Sequence, residues 1–143
     1  ITIMSSTQQT LYLPRPLVNK MLAHAQQHDA VEVCGLIGND DQDNKSYYPI
    51  DNVSNNPNCQ FLMDAPQQIS AMKQMREKGQ ELFAIVHSHP TSNATPSQLD
   101  IDESSYKEVL YIIISLNTKG VLEMRAYTQQ PDSMQEIELI LEV

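Results

Sequence analysis

The feature that most constrains the fold is an apolar segment, residues 82–86, which runs directly into two histidines, His87 and His89. Five consecutive apolar residues predict a buried β-strand. Because alternate side chains of a strand point to the same side, both imidazoles can face a single point. The segment therefore predicts a core strand with a candidate metal site at its carboxyl end.

The residues that follow predict a turn and the start of a helix. Pro90 and Pro96 interrupt the chain, and Ser97 stands where a helix N-cap is expected, three residues before Asp100. A chain that turns here and enters a helix can bring Asp100 back as an oxygen ligand. Two nitrogens and a carboxylate, with a fourth position left to water, form the ligand set of a catalytic zinc site. Taken alone, the histidine pair also fits two satisfied polar residues beside the core.

A further candidate lies at the entrance of a second predicted strand, residues 31–38. Every residue of this segment except Glu32 is apolar or glycine, which favours a buried strand with close backbone approach at Gly35 and Gly38. From the residues alone, Glu32 is either a strand-end side chain turned to solvent or a general base. Cys34 lies inside the apolar segment, so we expect an inert, buried thiol rather than a nucleophile.

The spacing of these residues resembles the signature of the JAMM (JAB/MPN-type) zinc metalloprotease family. That signature is His-(Ser/Thr)-His, seven residues, Ser, two residues, Asp. The matching positions here are His87, His89, Ser97 and Asp100. The family also carries a glutamate shortly before Cys-Gly-Leu, which Glu32 matches. The resemblance extends over residues 11–127 and implies an α/β fold, the MPN/JAB domain, with a mixed sheet flanked by helices and a cytidine-deaminase-like relationship.

The resemblance implies a role for each residue. The implied metal ligands are His87, His89 and Asp100, with Zn²⁺ as the cofactor. Glu32 is the implied general base, which takes a proton from the attacking water and passes it to the departing amine. Ser97 is the implied hydrogen-bond donor to the oxyanion, although its sequence position fits a plain helix cap equally well.

The implied activity is that of a JAMM-type metallopeptidase or isopeptidase that cuts bonds after the glycine-rich tail of ubiquitin-like proteins. A chain of 143 residues has no room for the insertions of the eukaryotic deubiquitinases, so it looks more similar to the stand-alone prokaryotic branch. The implied partner is a ubiquitin-like sulfur-carrier protein with a Gly-Gly tail. We expect residues 56–63 to hold this tail by strand addition.

Two other functions stay open at this point. The first is a catalytically inactive MPN-type protein-interaction module, which would bind partners without turnover. The second is a zinc deaminase on a related fold, whose His-x-Glu and Pro-Cys-x-x-Cys signatures are absent from the sequence. His24 and His28 lie four residues apart, but no glutamate follows His24, so we expect surface histidines rather than a zinc-protease helix.

Composition excludes several classes. A length of 143 residues with 41% hydrophobic residues predicts one domain over residues 10–143, after a leader over 1–9 that is disordered or derived from expression. The net charge of −9 argues against a nucleic-acid partner. No apolar run approaches the roughly 20 residues of a membrane span, so no membrane partner is expected. Two cysteines make no disulfide framework, which favours a cytoplasmic location. The oligomeric state is not predicted.

Periodicity and turn residues predict the other elements. The predicted strands are an edge strand over residues 10–13, then 46–50, 60–63, 109–115 and 121–127, with a final edge strand over 137–143. The predicted helices are residues 15–28 and 64–78, and Ile69, Met72 and Met75 are expected to form the buried stripe of the second. Hairpin connections are expected at 39–44 and 117–120.

Overall fold

A seven-stranded mixed sheet with helices on both faces is formed by the residues that the computed structural model describes, 9–104, 106, 108–117 and 123–142. The predicted leader, except for Gln9, and the predicted turn at 117–120, except for Asn117, lie outside these residues. The elements are β1 (Thr10–Pro14), α1 (Arg15–Gln27), β2 (Cys34–Asn39), β3 (Lys45–Ile50), α2 (Ala65–Glu77), β4 (Glu81–His89), α3 (Gln98–Glu103), β5 (Leu110–Ser115), β6 (Glu123–Gln130) and β7 (Ser133–Glu142).

The strand order is β1-β7-β6-β5-β4-β2-β3. The pairs β1–β7 and β4–β5 are parallel and the others are antiparallel, so the prediction of a mixed sheet is confirmed. The prediction of a final edge strand is wrong. β1 pairs along the outer side of β7, from Thr10 opposite Glu138 to Pro14 opposite Glu142, and takes the edge position itself.

The two longer helices cover opposite faces of the sheet. On α1, Leu17, Val18, Met21 and Ala25 recur at helical spacing and are buried in one core cluster. On α2, Ala71 and Met75 pack into the cluster on the other face. The predicted burial of Ile69 on α2 is wrong, because this side chain is 70% exposed. None of the described helices is long and apolar enough to cross a membrane.

Close backbone approach at Gly35 is confirmed. The ring of Tyr47, on the paired strand β3, covers this glycine so tightly that an added Cβ would lie 2.5 Å from a ring carbon. The Tyr47 hydroxyl in turn lies 2.7 Å from Nδ1 of His24, which is half-buried rather than the free surface histidine predicted. This contact fixes α1 against β3.

The segment that links β3 to α2 differs from the prediction of a strand at residues 60–63. Its strand pairing is limited to one antiparallel bridge between Asn52 and Met63. Side-chain hydrogen bonds from Asn52 hold the rest of the segment. Sequence periodicity does not report such bonds, because they join a side chain to main-chain atoms.

Candidate metal centre

β4 carries both histidines and places their imidazole rings next to each other. The strand continues past the predicted apolar segment to His89, and both imidazoles lie on the sheet face that also carries Cys34 and Ile85. Both side chains are buried, with His87 2% and His89 3% exposed. Their Nε2 atoms are 3.2 Å apart.

The start of α3 brings Asp100 to the same point. Ser97 caps the helix, with its Oγ accepting from Asp100 N at 3.0 Å and its own N–H donating to Asp100 Oδ2 at 2.9 Å. This reciprocal capping box fixes the direction of the carboxylate. Asp100 Oδ2 lies 3.2 Å from His87 Nε2 and 3.1 Å from His89 Nε2. The structure thus brings together the three predicted ligand residues.

The donor set fits Zn²⁺. Four-coordinate zinc binds nitrogen and oxygen at about 2.0–2.2 Å, which places neighbouring ligand atoms of a tetrahedron about 3.3–3.6 Å apart. The three separations here are 3.1–3.2 Å. In addition, Nδ1 of His89 donates to the Asn93 carbonyl at 2.8 Å, which in the neutral imidazole leaves the lone pair on Nε2.

Burial and neighbouring charge favour the ligand-competent forms of two of these groups. Burial lowers the pKa of the His87 imidazole, which favours its neutral form. Burial alone would raise the pKa of the Asp100 carboxyl, but its contacts with His87 and His89 outweigh this and hold that pKa below its usual value. A carboxylate and a neutral imidazole are the forms that bind a metal ion.

The pairing of β2 with β4 places Glu32. Cys34 lies opposite His87, so the same antiparallel register puts Glu32 opposite His89 and on the same face. β2 itself begins at Cys34, three residues later than predicted, but Val33 and Ser88 extend the contact. Ser88 N donates to the Val33 carbonyl at 3.0 Å, and Val33 N donates to Ser88 Oγ at 2.9 Å.

The Glu32 carboxyl is buried and has an unpaired oxygen. Its side chain is 4% exposed, and Oε1 has no hydrogen-bond partner among the described residues. Burial raises the pKa of this carboxyl to about 7; Asp100 adds to the rise and His89 opposes it. A carboxyl with a pKa near neutrality, in a buried site, can both accept and return a proton.

Cys34, in contrast, is fully buried in the core of the same sheet face. Burial raises the pKa of its thiol to about 12, and the Sγ contacts the Ile50 carbonyl at 3.4 Å. The thiol is therefore held protonated, as expected for a structural cysteine rather than a nucleophile.

Side chains from two strands anchor the loop that joins β4 to α3. Ser115 Oγ donates to the Ser92 carbonyl at 2.6 Å, and Tyr127 donates to the Ala94 carbonyl at 2.5 Å. Glu123 accepts from Ala94 N at 2.9 Å. The sequence predicts only a loop here, because bonds to main-chain atoms leave no residue-type signature on the loop itself.

Phe61, within the segment predicted to hold the tail, also contributes its side chain to the site, a contact that the sequence does not predict. Its ring stacks on His87, with centroids 4.6 Å apart and an interplanar angle of 26°. The stacking holds the His87 ring, whose Nδ1 has no hydrogen-bond partner among the described residues. Beside this pair lies a cavity of about 200 Å³. Its lining includes Phe61, Ile85, His87, Leu99, Tyr111 and Met134.

The Ser88 hydrogen bond gives a stability prediction. In Ser88→Ala, the buried Val33 N–H loses its partner, so we expect the free energy of unfolding to fall by about 1–3 kcal/mol. Urea denaturation measures this, with Ser70→Ala on the exposed face of α2 as the control, expected to stay within about 0.5 kcal/mol. Equal stability of the Ser88 and Ser70 variants would contradict the assigned bond.

Comparison with known proteins identifies the class to which this sheet and site belong. Residues 14–128 match the Prok-JAB family, described as prokaryotic homologs of the JAB domain. The chain belongs to this family, which confirms the JAMM/MPN resemblance and the α/β fold that it implies.

Individual relatives agree with this assignment. A Thermus thermophilus protein named as a probable TtuB-protein conjugate cleaving protease is 34% identical over 111 residues, covering 78% of this chain and 72% of that protein. A Mycobacterium tuberculosis protein named CysO-cysteine peptidase is 25% identical over 123 residues, covering 85% and 84%. The solution structure of a Desulfitobacterium hafniense protein superposes with a TM-score of 0.81 at 32% identity, covering 94% and 93%.

Proposed function

We propose that this protein is a zinc-dependent peptidase that cleaves the peptide or isopeptide bond after the Gly-Gly tail of a ubiquitin-like sulfur-carrier protein. The observation that carries the proposal is the convergence of His87, His89 and Asp100, at 3.1–3.2 Å from one another, next to buried Glu32. The names of two relatives, one for cleaving a TtuB-protein conjugate and one as a CysO-cysteine peptidase, support conjugate cleavage.

His87, His89 and Asp100 would hold the metal ion. A bound Zn²⁺ would lower the pKa of water to about 7 and polarise the amide carbonyl. Glu32 accepts the proton of the attacking water and returns it to the amine as the bond breaks. Its burial keeps bulk water away from this proton transfer, and its raised pKa suits both directions of transfer.

The Oγ of Ser97 accepts in the capping box and donates to none of the described residues, which leaves its hydroxyl hydrogen for the developing oxyanion. We expect Ser97→Ala to lower kcat about 10²-fold, as loss of one oxyanion donor does elsewhere. Ser97→Thr keeps both the cap and the hydroxyl and should retain most of this activity. Thermal unfolding of both variants separates the catalytic effect from loss of the cap. Equal kcat for the two variants would leave Ser97 as a helix cap only.

The main chain of residues 60–63 is suited to hold an extended tail. Leu62 N donates to Asn52 Oδ1 and the Leu62 carbonyl accepts from Val53 N, so both groups point inward. Phe61 and Met63 alternate with Leu62, and their main-chain N–H and C=O groups have no partner among the described residues. An extended peptide can pair with this free edge as an added strand, next to His87.

Proline at Phe61 tests this edge. Phe61→Pro removes an outward N–H, so we expect the Kd for a Gly-Gly-terminated carrier protein to rise about tenfold or more, without unfolding. Phe61→Leu keeps the N–H and an apolar side chain, and should weaken binding less. Isothermal titration calorimetry and thermal unfolding give both readouts. Affinity unchanged by the proline would dismiss strand addition at this position. Leu62→Pro, which removes an inward bond, should also abolish binding.

Mass spectrometry tests the function as a whole. The zinc-loaded protein is incubated with carrier-protein fusions that bear short C-terminal extensions, and we expect release of the extension directly after Gly-Gly. Lack of stoichiometric zinc binding would instead favour an inactive interaction module. The free thiols of Cys34 and Cys59 support placing this reaction in the reducing cytoplasm.

A further inference from the structure

The side chain of Asn52 makes four hydrogen bonds, all to main-chain atoms. Nδ2 donates to the carbonyls of Glu32 at 2.9 Å and Gln60 at 3.0 Å. Oδ1 accepts from Ser54 N at 3.0 Å and Leu62 N at 2.9 Å. A carboxamide has two N–H donors and two acceptor lone pairs, so every hydrogen-bonding position of this half-buried side chain is used.

Two of these four bonds, to the Gln60 carbonyl and from Leu62 N, take the place of strand pairing for residues 60–62. Within the described part of the chain, one β-bridge, between Asn52 and Met63, pairs this segment with other residues. The amide therefore binds the Gln60 carbonyl and the Leu62 N–H, and the Leu62 carbonyl accepts from Val53 N. The main-chain N–H and C=O of Phe61 are left to point outward. The same amide also holds the main chain at Glu32.

We propose that Asn52 is a positioning residue that aligns residues 60–63 as the tail-binding edge and fixes this edge relative to Glu32. The inference rests on the proposed function, since the edge matters only if a carrier tail is bound there. Asn52 touches neither the metal ligands nor the tail; it acts through the main chain of the residues that do.

Other side chains do not replace this amide. Alanine leaves four main-chain groups without their partner. Aspartate has nearly the same shape and still accepts from Ser54 and Leu62, but its second oxygen faces the carbonyl oxygens of Glu32 and Gln60, where repulsion replaces two hydrogen bonds. Asn52→Asp therefore tests the two donated bonds without a change in side-chain size.

The test compares Asn52→Ala and Asn52→Asp with Gln67→Ala. Gln67 makes two hydrogen bonds to Asp51, at the base of the same connection, and so provides a matched control outside the edge. Each zinc-loaded protein is assayed on two kinds of carrier fusion: one with its natural tail, and a set with proline at each of the three positions before Gly-Gly. Proline removes the tail N–H that strand addition needs.

We expect the wild type and Gln67→Ala to show a KM about tenfold higher for at least one proline tail than for the natural tail. Both Asn52 variants should already show the higher KM on the natural tail, and proline in the tail should raise this KM less than about twofold further. Their zinc stoichiometry should be unchanged. A general loss of stability would lower activity on all tails equally and would preserve the ratio of the KM for the proline tail to the KM for the natural tail. An unchanged ratio in the Asn52 variants therefore overturns the inference.

Amide hydrogen exchange distinguishes failure of the inference about Asn52 from failure of the proposed function. If the wild type cleaves no fusion, the proposed function fails, and the exchange rate of the Leu62 amide alone decides whether Asn52 orders the segment. We expect Asn52→Ala to accelerate this exchange at least about tenfold, because its acceptor is lost. Unchanged exchange would show that the segment is held by other contacts and would overturn the inference on its own.

Discussion

Glu32→Gln should retain the metal ion and the fold but lose nearly all turnover, with kcat lower by about 10²–10⁴-fold. Glutamine keeps the shape of the side chain but cannot accept a proton. No hydrogen bond to Oε1 is sacrificed, because this atom has no partner among the described residues. We therefore expect the variant to be at least as stable as the wild type. The measurements are kcat on a carrier fusion, zinc content by elemental analysis and the midpoint of thermal unfolding.

Glu77→Gln, at the exposed end of α2, is the matched control, and its kcat should equal that of the wild type. It removes one negative charge from the protein without altering the buried site. A Glu32→Gln variant that turned over at a third of the wild-type rate or faster would show that another group carries the proton. The assignment of Glu32 as the base would then be withdrawn.

Asp100→Asn should weaken Zn²⁺ binding by more than about 100-fold, beyond the 10–100-fold range that outer hydrogen-bond partners of metal ligands show. The substitution replaces a charged ligand oxygen with a neutral amide but keeps an oxygen that can accept from Ser97 N. Helix α3 should therefore remain capped, and the loss is assigned to the ligand rather than to the helix. Competition with a chromophoric chelator measures the affinity, and turnover should fall with zinc occupancy.

Asp102→Asn provides the control on the same helix. Asp102 is exposed and accepts a hydrogen bond from Gln98, on the solvent side of α3. Its replacement alters the charge of the helix as much as the Asp100 change does, but leaves the site intact. If both variants bound zinc as tightly as the wild type, Asp100 would not be a ligand and the metal centre would need a different third donor.

Much of the candidate site could be predicted from the sequence, because its residues obey local rules. Two histidines at alternate strand positions must share a face, and an N-cap serine three residues before Asp100 fixes the direction of the first helical turn. Glu32 was harder, since its place opposite His89 depends on the register of two strands more than 50 residues apart in sequence. The family resemblance, rather than any local pattern, supplied the role of Glu32.

The errors all involve contacts between distant segments. The final strand was predicted at an edge because its alternating pattern does not show that β1 returns parallel to it. Residues 60–63 have the composition of a strand, but apart from one bridge at Met63 it is the side chain of Asn52 that lies beside them. Ile69 has the helical spacing of a buried residue, yet it is 70% exposed, and periodicity along the helix does not show which of its positions meet another element.

The pairing of β2 with β4 has a consequence for transferring this chemistry to another protein. The spacing between Glu32, the proposed base, and the two proposed histidine ligands is set by one strand register, which Ser88 locks at Val33 through both its main chain and its hydroxyl. A slip of a single residue would turn the acid to the opposite side of the sheet. A designer who grafts the two short motifs separately would therefore obtain ligands without a base. The smallest portable unit is the bonded pair β2–β4 together with the loop and the first turn of α3 that carry Asp100.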